Sequence, residues 1–221
     1  MVRALWNARR RSWIPARFAL ALAVLLIAAS ILLYPGGTAD DASTRGYSFA
    51  HNFLSDLGST VTFSGERNAV GAVLMGAAVI IGVFVLAGSF VGTVRLLSPS
   101  PRARMVARLA AVAGALVCAG FLGAALTPID RAWRLHRLSS LIAFHAFPAA
   151  TALLAIATRR DGRFRTRATT GWVTLTLVLA GFIAVAYLGA EHVNRTRADD
   201  TGDHSEDHGG DGPRRPVGRE P

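Results

Sequence analysis

The sequence predicts an all-α protein: a polytopic transmembrane helix bundle with five spans, a short interfacial helix in the first outer loop and a disordered C-terminal tail. Three observations carry this reading. Of the 221 residues, 52% are apolar and only 17% charged, against roughly a quarter charged in soluble domains. The apolar residues gather in five stretches, 18–34, 69–90, 109–127, 138–157 and 172–190, and none of these holds an Asp, Glu, Arg or Lys. Each stretch is close to the ~20 residues that cross a hydrocarbon core of ~30 Å. A soluble enzyme, a DNA-binding domain and a secreted disulfide scaffold are excluded.

The third observation is the charge distribution. All 24 basic residues are arginines, and fourteen of them lie in segments 1–17, 95–108 and 159–167 with Asp161 as the one acid. The other ten share segments 35–68, 128–137 and 191–221 with thirteen acids. Excess arginine in short loops marks the cytoplasmic face. A multipass protein of the cell (plasma or inner) membrane is expected, with its N-terminus cytoplasmic and its tail outside. The net charge of +10 therefore reports topology and attraction to anionic lipid. The lipid bilayer is the expected partner, and nucleic acid is not.

The elements follow in order. Residues 1–17 form a basic cytoplasmic N-terminus, and 18–190 the bundle. Arg9, Arg10 and Arg11 ahead of the first apolar run resemble a signal peptide, but the run is long for one and four more spans follow, which favours an uncleaved anchor. Pro35-Gly36-Gly37 stops the first helix. Trp13 and Trp172 stand at inner ends, and Tyr34, Trp133 and Tyr187 at outer ends, as interfacial aromatics do. The second apolar region runs on to Leu97. The third span carries Ala107, Ala111, Ala115, Ala119 and Gly123 at four-residue spacing, with Gly88 and Gly92 as a shorter version on the second. Small residues let a neighbouring backbone approach. The stripe is read as packing within the bundle around a central third helix, with a homo-oligomer as the other reading. The single Cys118 is read as a packing residue. The tail, 191–221, has no apolar periodicity and is expected to be disordered. Its His204 and His208 stand among carboxylates without fixed geometry, so no metal and no cofactor is expected.

The first outer loop is the informative segment. Tyr47 to Gly58 reads Y-S-F-A-H-N-F-L-S-D-L-G, with Ser48 as an N-cap and Gly58 as a C′ residue of a helix about nine residues long. Such a helix places Phe49, Phe53, Leu54 and Leu57 on one face, and pairs His51 with Ser55 and Asn52 with Asp56. The segment ahead of the fourth span holds Pro128, Asp130, Arg131, Arg134, His136 and Arg137. By the charge count it faces the same compartment. His51, Asn52, Ser55, Asp56, Asp130, Arg134, His136 and Arg137 are therefore expected to form one outward-facing polar site. Asp56 is expected within about 4 Å of Arg134, Arg137 or His136, the ordinary ion-pair limit. His145, inside the fourth span, is a separate intramembrane candidate. It is the lone histidine of the spans, which argues against bis-histidine haem ligation.

The string Asn52-Phe53-Leu54-Ser55-Asp56-Leu57-Gly58 after the first span, followed by Gly123, Pro128, His136 and Arg137 before the fourth, resembles the domain-of-unknown-function 998 family. The resemblance covers roughly residues 15–190. It implies a small multipass membrane protein of a bacterium or archaeon, with no established activity. It also implies one helix more than the five apolar stretches supply.

The leading reading is thus an integral membrane protein of unknown molecular role with a small outer polar site, open to a lipid or small-molecule ligand. A membrane hydrolase would use Ser55 as nucleophile, His136 as base and Asp56 or Asp130 as orienter, but no G-x-S-x-G or S-x-x-K string accompanies them. A transporter or channel component would need intramembrane charges, repeats or broken helices. An assembly scaffold would show sealed outer loops instead of a cavity.

Overall fold

The computed structural model describes residues 2–97, 100–162 and 166–203, and side chains between residues 15 and 188. Five long helices are described: α1 (Val2–Leu33), α2 (Ala69–Leu97), α3 (Pro101–Leu126), α4 (Trp133–Asp161) and α5 (Thr166–Asp203). A 3-10 turn, Leu54–Gly58, lies between α1 and α2. All five helices are long and apolar enough to cross a membrane, over Pro15–Leu33, Ala69–Leu97, Pro101–Leu126, Trp133–Asp161 and Thr166–Leu188. The protein is an all-α multipass helix bundle.

Local chemistry sets the helix ends. α1 stops at Leu33, before Pro35. α3 begins with Pro101 at its first position, where a missing N–H costs nothing, and stops at Leu126 ahead of Pro128. α4 ends on Gly162, whose φ of 73° is the left-handed conformation that favours glycine. Pro148 lies inside α4. Nearby, the Thr151 hydroxyl donates to the carbonyls of Phe147 and Pro148, so polar groups around the proline stay bonded in the apolar layer.

Residues 1–179 form one compact unit. Within it α3 packs on both α2 and α4, and α2 on both α1 and α3. The buried face of α3 is Ala103, Val106, Ala107, Ala110, Gly114, Val117 and Gly120. This corrects the expected stripe: Ala107 is buried, but Ala115 and Ala119 are exposed. A strict four-residue repeat drifts about 40° per step around a helix of 3.6 residues per turn. The stripe therefore leaves the contact face within two steps, while mixed three- and four-residue spacing stays on it. Two glycines allow close approaches of α3 to its neighbours. A Cβ on Gly120 would stand 2.7 Å from the Ala143 nitrogen and from the Ser139 carbonyl oxygen of α4, and one on Gly114 would meet the Phe90 ring of α2 at 2.8 Å.

Hydroxyls tie other helices together. Ser30 of α1, fully buried, donates to the Gly71 carbonyl of α2 at 2.9 Å. α5 meets α4 through two threonine pairs at heptad spacing: Thr176 donates to Thr151 at 2.9 Å, and Thr169 to Thr158 at 3.2 Å. Nothing in the apolar periodicity announced these bonds.

Residues 180–221 form a second unit. Its described part is the second half of α5, on which Phe182, Val185, Tyr187 and Leu188 are exposed. The helix runs past the expected boundary at Ala190 to Asp203, because extending a helix fixes one residue per new hydrogen bond and needs no fresh nucleus. The rest of the tail, with His204 and His208, lies outside the described residues.

Candidate functional site: the cap

Residues 34–68 fold into a compact cap over the ends of α1 and α2. Gly36 bridges to Arg45 and Val61 to Arg67 as isolated β-pairs. Gly37, at φ 84°, is pressed against Phe63 and Ser64, so that a Cβ there would run into the Ser64 nitrogen. Asn68 closes the cap: its Nδ2 donates to the carbonyls of Leu57 and Ser59, and its backbone oxygen opens α2 by accepting from Ala72. Beneath lie Tyr34, Leu57 and Met75, packed with Ile27, Ile31, Tyr47 and Val79. Tyr34 is thus buried beneath the cap, where the sequence placed it at the membrane interface.

The nine-residue interfacial helix does not form. Residues 48–52 make a single turn in which the amides of His51 and Asn52 bond the Ser48 carbonyl, and helical geometry resumes only over Leu54–Gly58. The Asn52 side chain causes the break: its Oδ1 accepts from the Ser48 amide at 2.9 Å, which locks the turn. The expected apolar face is lost with the helix. Leu57 is buried, but Phe49 and Phe53 are 81% and 76% exposed.

At the centre of the cap sits Asp56, 3% exposed. One of its oxygens accepts from the Phe53 amide at 2.8 Å and from Asn52 Nδ2 at 3.3 Å. The amide bond is half of a capping box: an acid three residues into a helical turn reaching back to the first N–H. Asn52 Nδ2 also donates to the Gly37 carbonyl at 3.0 Å, and the Tyr34 hydroxyl reaches the same oxygen at 3.4 Å. The Tyr47 hydroxyl donates to the Asn52 carbonyl, and its ring meets Tyr34 edge-on. Burial pushes the Asp56 carboxyl above its ordinary range, against the pull of its two hydrogen bonds. Burial, then the Asp56 charge, pushes Tyr34 up to about 12.

The loops that follow α1 and α3 do meet, though not through Asp56. Asp130 accepts from the Thr60 amide at 2.9 Å, the Val61 amide at 3.2 Å and the Thr60 hydroxyl. Arg131 Nε donates to that same hydroxyl at 2.9 Å. Burial pushes the Asp130 carboxyl up, but these bonds outweigh it and hold the carboxyl below its ordinary range. Arg134 and Arg137 are exposed on the first turns of α4, and neither reaches Asp56. His136 caps α3: its Nδ1 lies 2.7 Å from the Thr127 carbonyl oxygen and 3.1 Å from that of Ala124. Both neighbours are acceptors, so Nδ1 carries the proton. The expected contact between Asp56 and this segment is therefore replaced by the Thr60–Asp130 latch, because Asp56 is consumed by its own turn.

Of the remaining candidates, Ser55 is half-buried beside Asp56, and His51 is exposed on the preceding turn. His145 is exposed on α4, with Nδ1 at 2.8 Å from the Leu141 carbonyl of its own helix. Among the described residues no cluster of three or more His, Cys, Asp or Glu gathers. Sequence reasoning missed Tyr34, Gly37, Tyr47, Thr60 and Asn68. Asn68, directly before an apolar run, carried a readable N-cap signal, whereas Thr60 carried none.

A family model for proteins of unknown function, DUF998, matches residues 27–198. The chain belongs to this family. The DUF998 match takes in the whole cap, the latch and α2 to α4. No curated protein and no solved structure matches the chain.

Asp56 also sets a pH dependence. Its folded-state pKa is raised, so the folded cap holds its proton more tightly than the unfolded chain does. Its stabilising contribution is complete below the ordinary value of 3.8 and is lost as pH rises through the higher folded value. Melting curves in detergent between pH 4 and 8 should fall with rising pH in the wild type. Asp56→Asn keeps an acceptor for the Phe53 amide and should flatten that fall. An unchanged slope would assign the effect to another group.

Proposed function

We propose that this DUF998 protein is a membrane-embedded assembly component whose outer cap is a sealed recognition surface, and not a lipid hydrolase. The observation that carries the reading is the latch. Asp130 and Arg131 on one loop hold Thr60 and Val61 on the other, and the cap's acid is enclosed by its own turn. Hydrolysis by Ser55 would need His136 as base with its Nδ1–H on a carboxylate, and that nitrogen serves the carbonyls at the end of α3. The exposed Phe49 and Phe53 beside the cap suit contact with a partner or with the headgroup layer. The arginine balance supports a cell-membrane orientation with the cap and tail outside and the N-terminus cytoplasmic.

A serine-reactive fluorophosphonate and a native gel separate the two readings. Under the assembly reading the probe leaves Ser55 unlabelled, and the protein migrates in a complex larger than its own 23.4 kDa. Phe49→Ser with Phe53→Ser shrinks that complex, and Ser55→Ala does not. Labelling that Ser55→Ala removes would establish the hydrolase instead.

A further inference from the structure

α1 and α2 are held together at the cap end by the Ser30–Gly71 bond and by Ile27, Ile31, Met75 and Val79. Towards the arginine-rich end they part and leave a groove of about 740 Å³. Its α1 wall is Pro15, Ala16 and Ala19, and its α2 wall includes Gly88 and Gly92. The opening comes from missing side chains: a Cβ on either glycine would meet nothing within 4 Å. The groove also presents little for water to bind. The hydroxyls of Ser89 and Thr93 are spent on carbonyls of their own helix, Val85 and Ser89, at 2.8 Å each. The occupant it fits is apolar.

The charge at its mouth says which apolar occupant. Arg95 adjoins the lining residue Leu96, and neither α1 nor α2 contains an acid. Arg95 stands on the flank of the helix face formed by Gly88, Gly92 and Leu96. A second copy of the chain in the groove would bring its own Arg95 to the same mouth, whereas an anionic headgroup would neutralise the charge. We propose that the groove holds one acyl chain of an anionic phospholipid whose phosphate is met by Arg95. This site is independent of the cap and of how the cap functions.

Native mass spectrometry of the full chain, from micelles containing equal phosphatidylglycerol and phosphatidylcholine of the same acyl chains, tests the proposal. The wild type is expected to retain one phosphatidylglycerol with roughly fivefold preference, the scale that one arginine near a phosphate provides. Arg95→Gln should bring that ratio close to unity. Gly92→Leu should fill the groove and end retention of both lipids without lowering the melting temperature, with Gly92→Ala intermediate. Glycerol phosphate alone should not displace the lipid. Equal retention of both lipids by the wild type, or undiminished retention by Gly92→Leu, would overturn the proposal. So would a wild-type dimer that Gly92→Leu converts to monomer, since a second copy would then be the occupant.

Discussion

Gly120→Leu is expected to be the most damaging single substitution in the bundle. Even an alanine Cβ at this position would lie 2.7 Å from two backbone atoms of α4, the Ala143 nitrogen and the Ser139 oxygen. Backbone cannot rotate away as a side-chain tip can, so α3 and α4 must separate along their shared face. That face buries Val117 of α3 with Ala150 and Leu154 of α4 in one core, together with Phe90 of α2. Overpacking usually costs ~1–3 kcal/mol, and a clash with two backbone atoms belongs at or above the top of that range. The control is Ala115→Leu, on the exposed side of the same helix, which should change stability by less than about 0.5 kcal/mol. Melting temperatures in detergent decide the comparison. Equal effects of the two leucines would mean that α3 does not present the Gly120 face to α4.

Gly37→Ala is the second large effect, and it falls on the cap. Two costs add at this residue. Its φ of 84° is left-handed, where a residue with a Cβ loses about 1–2 kcal/mol. Its Cβ would also run into the Ser64 nitrogen and stand 2.6 Å from the Phe63 carbonyl carbon. Gly46→Ala separates the terms, because Gly46 also has a positive φ, 68°, but open space around it. The Gly46 variant should lose only the conformational part. The Gly37 variant should also detach the chain around Phe63 and expose the carbonyl that Asn52 and Tyr34 share. Limited proteolysis of intact membranes should then cut the 38–67 segment in the Gly37 variant much faster than in the Gly46 variant. Equal cutting rates would place Gly37 away from Ser64.

The bundle was legible in the sequence because membrane burial writes itself in composition. A charge-free run of about twenty residues has few alternatives to a span. The stop at Pro35 acts through local backbone chemistry and so appears where it was expected, and Pro128 and Gly162 act in the same way. What was not legible was which side of each helix meets a neighbour. The alanine stripe on α3 read as a contact face, but at four-residue spacing it winds out to exposed Ala115 and Ala119. The polar candidates divided along the same line. Asn52 and Asp56 did pair, as four-residue spacing suggested, although through a turn and a 3-10 segment. Asp130 did join the loops, but to Thr60, whose role depends on the tertiary approach of a segment 70 residues away. Single-sequence patterns report spacing along the chain and carry no trace of such a partner.

The loops that follow α1 and α3 are closed on each other by Thr60 and Asp130. Cysteines at these two positions, in a Cys118→Ser background, test this closure in intact membranes. The loops in contact predict rapid, near-complete disulfide formation under mild oxidation, with neither thiol open to a membrane-impermeant maleimide afterwards. Two thiols that both label with the maleimide and do not cross-link would contradict the closed cap, and with it the assembly reading built on it.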